Sequence, residues 1–147
     1  MAATSVRWLL AKHLVDLIRD HGACAGVQVT PAWPGDRNQT AEMIWLGDIE
    51  GVMALPVGVG GRKPRDDKFD LRVLFRVAQL ADLDATLSRL FELVGAVEDV
   101  LAEDPTLAEF DAMLSAEAGT CNQAAMTTPD GVVAFGLIEI AVHSRLT

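Results

Sequence analysis

Cysteine is scarce in this sequence. Of 147 residues only Cys24 and Cys121 are cysteines, almost a hundred residues apart and with no Cys-x-x-Cys or Cys/His spacing around either. That excludes a disulfide-dense secreted scaffold and a zinc ribbon, and two isolated thiols suit a reducing compartment. Basic residues are also few: 12 Lys plus Arg stand against 21 Asp plus Glu, a formal charge of −9. Between Asp82 and Glu117 there are ten acidic residues and one basic residue, Arg89, while the remainder balances at eleven of each sign. The net charge therefore belongs to one segment, whose surface should repel nucleic acid. The basic concentration Arg62, Lys63, Arg65 and Lys68 is answered at once by Asp66, Asp67 and Asp70, which makes a mixed-charge loop rather than a phosphate-binding patch. Long apolar runs are missing as well. The uncharged stretch Gly51 to Gly61 is broken by Pro56 and four glycines, far from the roughly 20 apolar residues that cross a bilayer. The start Met1 to Ser5 carries no basic region followed by an apolar stretch, so the sequence predicts synthesis in the cytoplasm and no membrane partner.

What is present is a chain that is half hydrophobic. A single domain of this length, residues 1–147, buries roughly two-thirds of its unfolded surface and needs no disulfide or structural metal to be stable. The same apolar fraction excludes intrinsic disorder.

The periodicities predict an α+β fold. From Ser5 to His21, Val6, Leu10, Leu14, Leu17 and Ile18 share one helical face. Trp8 and Leu9 fall toward its polar arc, which marks them as apolar candidates for a contact surface. Gly26 to Thr30 alternates as a short strand, followed by the punctuation of Pro31, Pro34 and Gly35. Glu42 to Glu50 is the next strand, with Met43, Trp45 and Ile49 on one side and Ile44 and Leu46 on the other. Phe69 to Val77 has the cleanest period of two, with Phe69, Leu71, Val73, Phe75 and Val77 opposite Asp70, Arg72 and Arg76, as in a half-buried antiparallel strand. Leu83 to Ala102 reads as a second helix, capped by Asp82 and ended by Pro105. Phe110 to Glu117 is open between strand and short helix, with Gly119 and the polar run beyond it favouring a strand. Val132 to His143 reads as a central strand behind the Asp130-Gly131 turn. The expected architecture is a mostly antiparallel mixed sheet of about four to five strands packed against two main helices, in the order α-β-β-β-α-β-β.

Between two of these strands lies a long connection, Gly51 to Lys68. Its first half, with Val52, Met53, Leu55, Val57 and Val59, is apolar yet too rich in glycine and proline to be a good strand, and its second half alternates charges. A loop this long in a small domain is usually functional or disordered. A neighbouring subunit is the simplest cover for its apolar half.

Catalytic signals are weak. Gly58 to Pro64 lacks the order of a P-loop and precedes no helix. His13, Asp16 and Asp20 share one side of the first helix, but no third metal ligand lies near in sequence. Cys24 and Cys121 have no evident base partner, and His21 and His143 read as helix-end and strand-end residues. The sequence therefore points to a protein that is not an enzyme, with no catalytic residue, metal or cofactor.

Taken in order, several segments resemble one family. They are Val6 to Leu10, Gly26 to Gly35, Ile44 to Ile49, Arg65 to Phe69, Leu71 to Phe75, Ala96 to Leu101 with Asp104 to Leu107, and Ala141 to Leu146. Together they cover nearly the whole chain, and their order and spacing resemble the tail terminator proteins of long-tailed bacteriophages, the lambda minor tail protein U type. The resemblance implies a homohexameric ring at the head-proximal end of the tail. That ring would cap the tail tube, end its polymerisation and form the surface joined to head-tail joining (neck) proteins. Its partners would be further copies of itself, the tail tube protein and those neck proteins, with DNA passing through the ring without sequence-specific binding. By family position, Arg62, Lys63, Arg65, Asp66 and Asp67 are the implied subunit or lumen contacts. The alternatives are another phage ring protein, either a neck protein or a tube subunit, and less directly a small acidic enzyme or ligand-binding domain.

Overall fold

The structure is a computed structural model that describes residues 7–35, 40–47, 50–54, 65–79, 82–103, 113–128 and 131–146. Its described elements are α1 (Arg7–Asp20), a single 3₁₀ turn (Gly22–Cys24), β1 (Gln28–Thr30), β2 (Glu42–Leu46), β3 (Glu50–Ala54), β4 (Arg65–Gln79), α2 (Leu83–Glu103), β5 (Met113–Thr128) and β6 (Gly131–Leu146). The fold is α+β, as the periodicities predict. The strands form one mixed sheet in the order β1-β2-β4-β6-β5, with β3 also paired to β4. Among the described strands β1 and β2 run parallel and the other pairings are antiparallel.

Each element follows from a local cause. In β4, Phe69, Leu71, Val73, Phe75 and Val77 are all buried, while Asp70, Arg72, Leu74 and Arg76 alternate with them on the other face. Helix α2 begins where Asp82 caps it: the Ala85 amide donates to Asp82 Oδ1 at 2.8 Å and the Thr86 amide donates to the Asp82 carbonyl at 3.1 Å. Leu90, Leu93, Val94, Val97 and Leu101 then make its buried stripe. Helix α1 stops at Asp20, and His21 opens the 3₁₀ turn by accepting the Ala23 amide on Nδ1 at 3.1 Å. The chain turns again at Gly26, where φ is +80°, a conformation that glycine adopts without steric cost. Arg19 holds the outcome in place by donating twice to the Val29 carbonyl, from Nε at 2.9 Å and from its terminal nitrogen at 2.7 Å, which ties α1 to β1.

The core lies between the helices and one face of the sheet. Leu10, Leu14 and Ile18 of α1, Leu90 and Leu93 of α2, and Ile44, Leu71, Phe75, Ile138 and Ile140 of the sheet are completely buried in it. At Gly136 the fit is close, since a Cβ there would stand 3.1 Å from Leu90 Cδ1 and 3.3 Å from Phe75 Cδ1.

Three expectations change. The segment read as one strand from Glu42 to Glu50 is two strands, because the register on β4 shifts by one residue: Leu46 pairs with Val73, but Glu50 pairs with Asp70. Such a bulge changes which residues share a face, so a period of two cannot be carried across it. The connection read as a loop from Gly51 to Lys68 is shortened from both ends. Gly51 to Ala54 belong to β3, and Arg65 to Lys68 pair with β3, with β6 or with both. Residues 55–64 lie outside the described ones. This extra strand raises the number in the sheet to six, against the four to five expected. Finally, the ambiguous segment from Phe110 onward is a strand from Met113, sixteen residues long, and it takes in the Met/Gln/Thr-rich stretch Asn122 to Thr128. Its neighbour β6 specifies it: fifteen residues of β4 already pair with one edge of β6, and β5 satisfies the other.

Candidate interaction surfaces

The residues that sequence reading set aside for chemistry do not assemble into a site. Asp16 pairs with Arg19 at 3.6 Å, and Asp20 is exposed beside a shallow recess of about 220 Å³ lined by Leu17, His21, Val100 and Glu103. Among the described residues no three His, Cys, Asp or Glu side chains converge as metal ligands. The Cys24 thiol is buried, and that burial pushes its pKa up, with nearby Arg89 opposing and Glu42 adding to the rise. A protonated thiol is a poor nucleophile. The side chain of Cys121 is outside the described ones.

One polar cluster was not legible beforehand. Arg89 of α2 reaches Glu42 of β2 with a short charge-assisted hydrogen bond from Nε, donates to Glu92 Oε2 at 2.9 Å, and donates to the Ala23 carbonyl at 3.0 Å. The Glu42 carboxylate, ahead of the opposing burial, holds the guanidinium pKa above its ordinary value. Arg89 thus fastens a helix, a strand and the 3₁₀ turn with one planar fork of donors. The available signal was its position as the lone cation in the acidic segment.

The open features of the molecule are surfaces. The face of the sheet turned away from the helices is apolar along its middle. Trp33 and Trp45 meet edge to face, with ring centroids 4.8 Å apart and planes at 65°. They line a groove of about 570 Å³ together with Pro31, Ala32, Leu46, Gly47, Arg72 and Leu74. Leu74 pairs in register with Leu137, and Arg76 with the exposed Phe135. Arg72 sits 3.5 Å from Glu139 and Arg76 donates to the Thr40 carbonyl at 3.1 Å, so the charges at this face are engaged locally. The second surface is the outer flank of α2, where Leu83 and Phe91 remain 48% and 53% exposed among acidic residues.

Of the expected interface residues, Val52, Met53, Arg65, Asp66 and Asp67 fall at the end of the sheet away from the start of α2. Val52 and Met53 lie in β3, opposite Lys68 and Asp67 of β4. Arg65, Asp66 and Asp67 lie in β4, with Leu146, Arg145 and Ser144 of β6 as register partners. This stretch of β4 therefore runs between two neighbouring strands, although the side chains of all these residues are outside the description. Leu55, Val57, Val59, Arg62 and Lys63 lie outside the described residues altogether. Trp8 and Leu9 are in α1, with their side chains likewise not described.

No known family pattern and no curated protein matches the chain. Among solved structures it is similar in fold to a chain of the virion of a native gene transfer agent (GTA) particle. The TM-score is 0.63 at 13% sequence identity, covering 92% of this chain and 94% of the other.

Proposed function

We propose that this chain is a structural virion protein of the bacteriophage type, a homohexameric ring that caps the tail tube, ends its polymerisation and presents the head-tail joining surface. The observation that carries the reading is the similarity in fold to a component of a gene transfer agent virion, which covers more than nine-tenths of both chains. A shared fold does not by itself define a role. The tail terminator reading rests further on the order of segments from Val6 to Leu146 that resembles that family. Two large surfaces favour assembly over catalysis: the Trp33/Trp45 sheet face and the acidic flank of α2 with its exposed leucine and phenylalanine. Exposed apolar area of this kind marks sites of protein contact.

In this role Arg62, Lys63, Arg65, Asp66 and Asp67 act at subunit or lumen contacts, with Trp8, Leu9, Val52, Met53, Leu55, Val57 and Val59 as apolar interface candidates. Beyond other copies of itself, the partners are the tail tube protein and the neck proteins. DNA passes through the ring without sequence-specific contacts, and the protein resides at the head-proximal end of the tail. Light scattering over a range of concentrations tests the assembly, because a 15.8 kDa monomer and a hexamer of about 95 kDa are readily separated. Addition to growing tubes tests the role. Tubes of fixed length, blocked at one end, are expected; long tubes formed by this protein alone would make it a tube subunit instead.

A further inference from the structure

The outer flank of α2 is built for a partner that is both apolar and basic. Leu83, Leu87 and Phe91 follow one another at intervals of four, so they form one stripe along the helix, and both end members are about half exposed. Asp84 and Glu98 stand seven residues before and after Phe91, two helical turns away on the same side, and both are exposed. Neither carboxylate makes an ion pair among the described residues. Their neighbours differ: Glu92 is held by Arg89 at 2.9 Å, and Asp99 lies 3.4 Å from His21.

The chain itself contains a segment of matching chemistry. Between β3 and β4, Leu55, Val57 and Val59 are followed by Arg62, Lys63 and Arg65, the densest basic stretch in the sequence. An apolar stretch followed by Arg62, Lys63 and Arg65, ahead of the Asp66-Asp67 pair in β4, matches an apolar stripe flanked by exposed carboxylates.

Chain geometry decides which copy supplies it. The segment leaves the sheet at Ala54 and returns at Arg65, at one end of the fifteen-residue strand β4. Helix α2 starts just past Gln79, at the other end. Along an extended strand those ends are ~45 Å apart, and Phe91 is only ~12 Å back along the helix. Ten residues that go out and return reach no farther than ~17 Å. The segment therefore cannot reach the Leu83 to Phe91 stripe of its own chain. A contact between two different surfaces of identical chains is head-to-tail, the type that closes into rings.

We propose that the Leu83 to Phe91 flank of α2, with Asp84 and Glu98, is the docking surface for the Leu55 to Arg65 segment of a second copy of this chain. The inference rests on the ring reading and adds to it the pair of surfaces that meet.

A charge-swap experiment on the full-length chain tests it. One variant carries Asp84→Lys with Glu98→Lys, a second carries Arg62→Glu with Lys63→Glu, and a third carries all four changes. Light scattering gives the concentration at half assembly, and circular dichroism shows whether each variant is folded. Each double variant is expected to raise that concentration about tenfold or more, and the quadruple variant to restore assembly to within about threefold of the original. An equimolar mixture of the two double variants should also assemble, because each supplies what the other has reversed. The second double variant leaves α2 untouched, so a helix weakened by Asp84→Lys cannot mimic the result. Unchanged assembly of that variant, or no rescue in the folded quadruple variant, overturns this contact and leaves the ring standing. An unaltered protein that stays monomeric at every concentration, with or without tail tubes, overturns the ring and the contact together.

Discussion

The two faces of the sheet are equally apolar in places and have opposite fates. On the inner face Val73, Phe75, Ile138 and Ile140 are excluded from water by the helices. On the outer face Phe135 of β6 and Met126 of β5 stay exposed, as does Trp33 in the connection after β1. Folding one chain needs only one covered face, since an antiparallel sheet can leave its other side to solvent. Apolar groups kept on the open side therefore report something other than the stability of the monomer, and contact with other proteins is the physical use for them. The contrast also separates two kinds of residue: those whose loss unfolds the chain and those whose loss only disconnects it.

Substitutions grade this contrast from large effects to small. Phe75→Ala empties a completely buried site against α2 and should lower stability by about 3–5 kcal/mol, measured by denaturant unfolding. A loss below about 1 kcal/mol would mean that the inner face is not the core. Arg89→Met, at the rim of that face, removes four donated bonds, two of them to Glu42, and leaves Glu42 mostly covered without its partner; about 1.5–3 kcal/mol is expected. Wild-type stability at low and high salt would differ little if this cluster acts as a covered anchor rather than a surface pair.

A smaller effect should appear with pH. Because burial raises the Cys24 pKa in the folded protein, the unfolded chain loses that proton first as pH rises. Stability is then complete below the ordinary value of 9.0 and falls above it. In Cys24→Ala the decline in unfolding free energy between about pH 8 and pH 10 should be shallower. An identical decline would assign it to other groups. Least affected is the outer face: Phe135→Ser should change monomer stability by no more than about 0.5 kcal/mol. A large loss there would erase the distinction between the faces.

Much of the inner face was legible because regular elements repeat. Period-two burial from Phe69 to Val77 and the 3.6-residue stripe from Leu83 to Leu101 are local patterns, and the structure follows both except at Leu83, which stays 48% exposed at the start of α2. The cap at Asp82 needed only its side chain and the amides that follow. Irregularity was the obstacle elsewhere. The one-residue shift between β2 and β3 leaves no mark on hydrophobicity, since Glu42 to Ala54 alternates plausibly in either register. β5 is poor in strand-forming residues for much of its length, with Gly119, Asn122, Gln123 and four alanines, and it is specified by pairing with β6 rather than by its own propensity. Of the candidate contact residues, the charges and their asymmetry could be counted, but not which surfaces they meet.

The sequence by itself determined the fold class, the acidic character of one segment, the covered face of each helix and the core alternation of β4. These depend on repeating preferences of neighbouring residues, which are expressed wherever the chain is placed. Only the tertiary structure decided that Arg89 joins Glu42 and Ala23 and that Trp33 meets Trp45. Those are relations between residues distant in sequence, and they exist only after loop closure and packing have selected one arrangement among many locally acceptable ones.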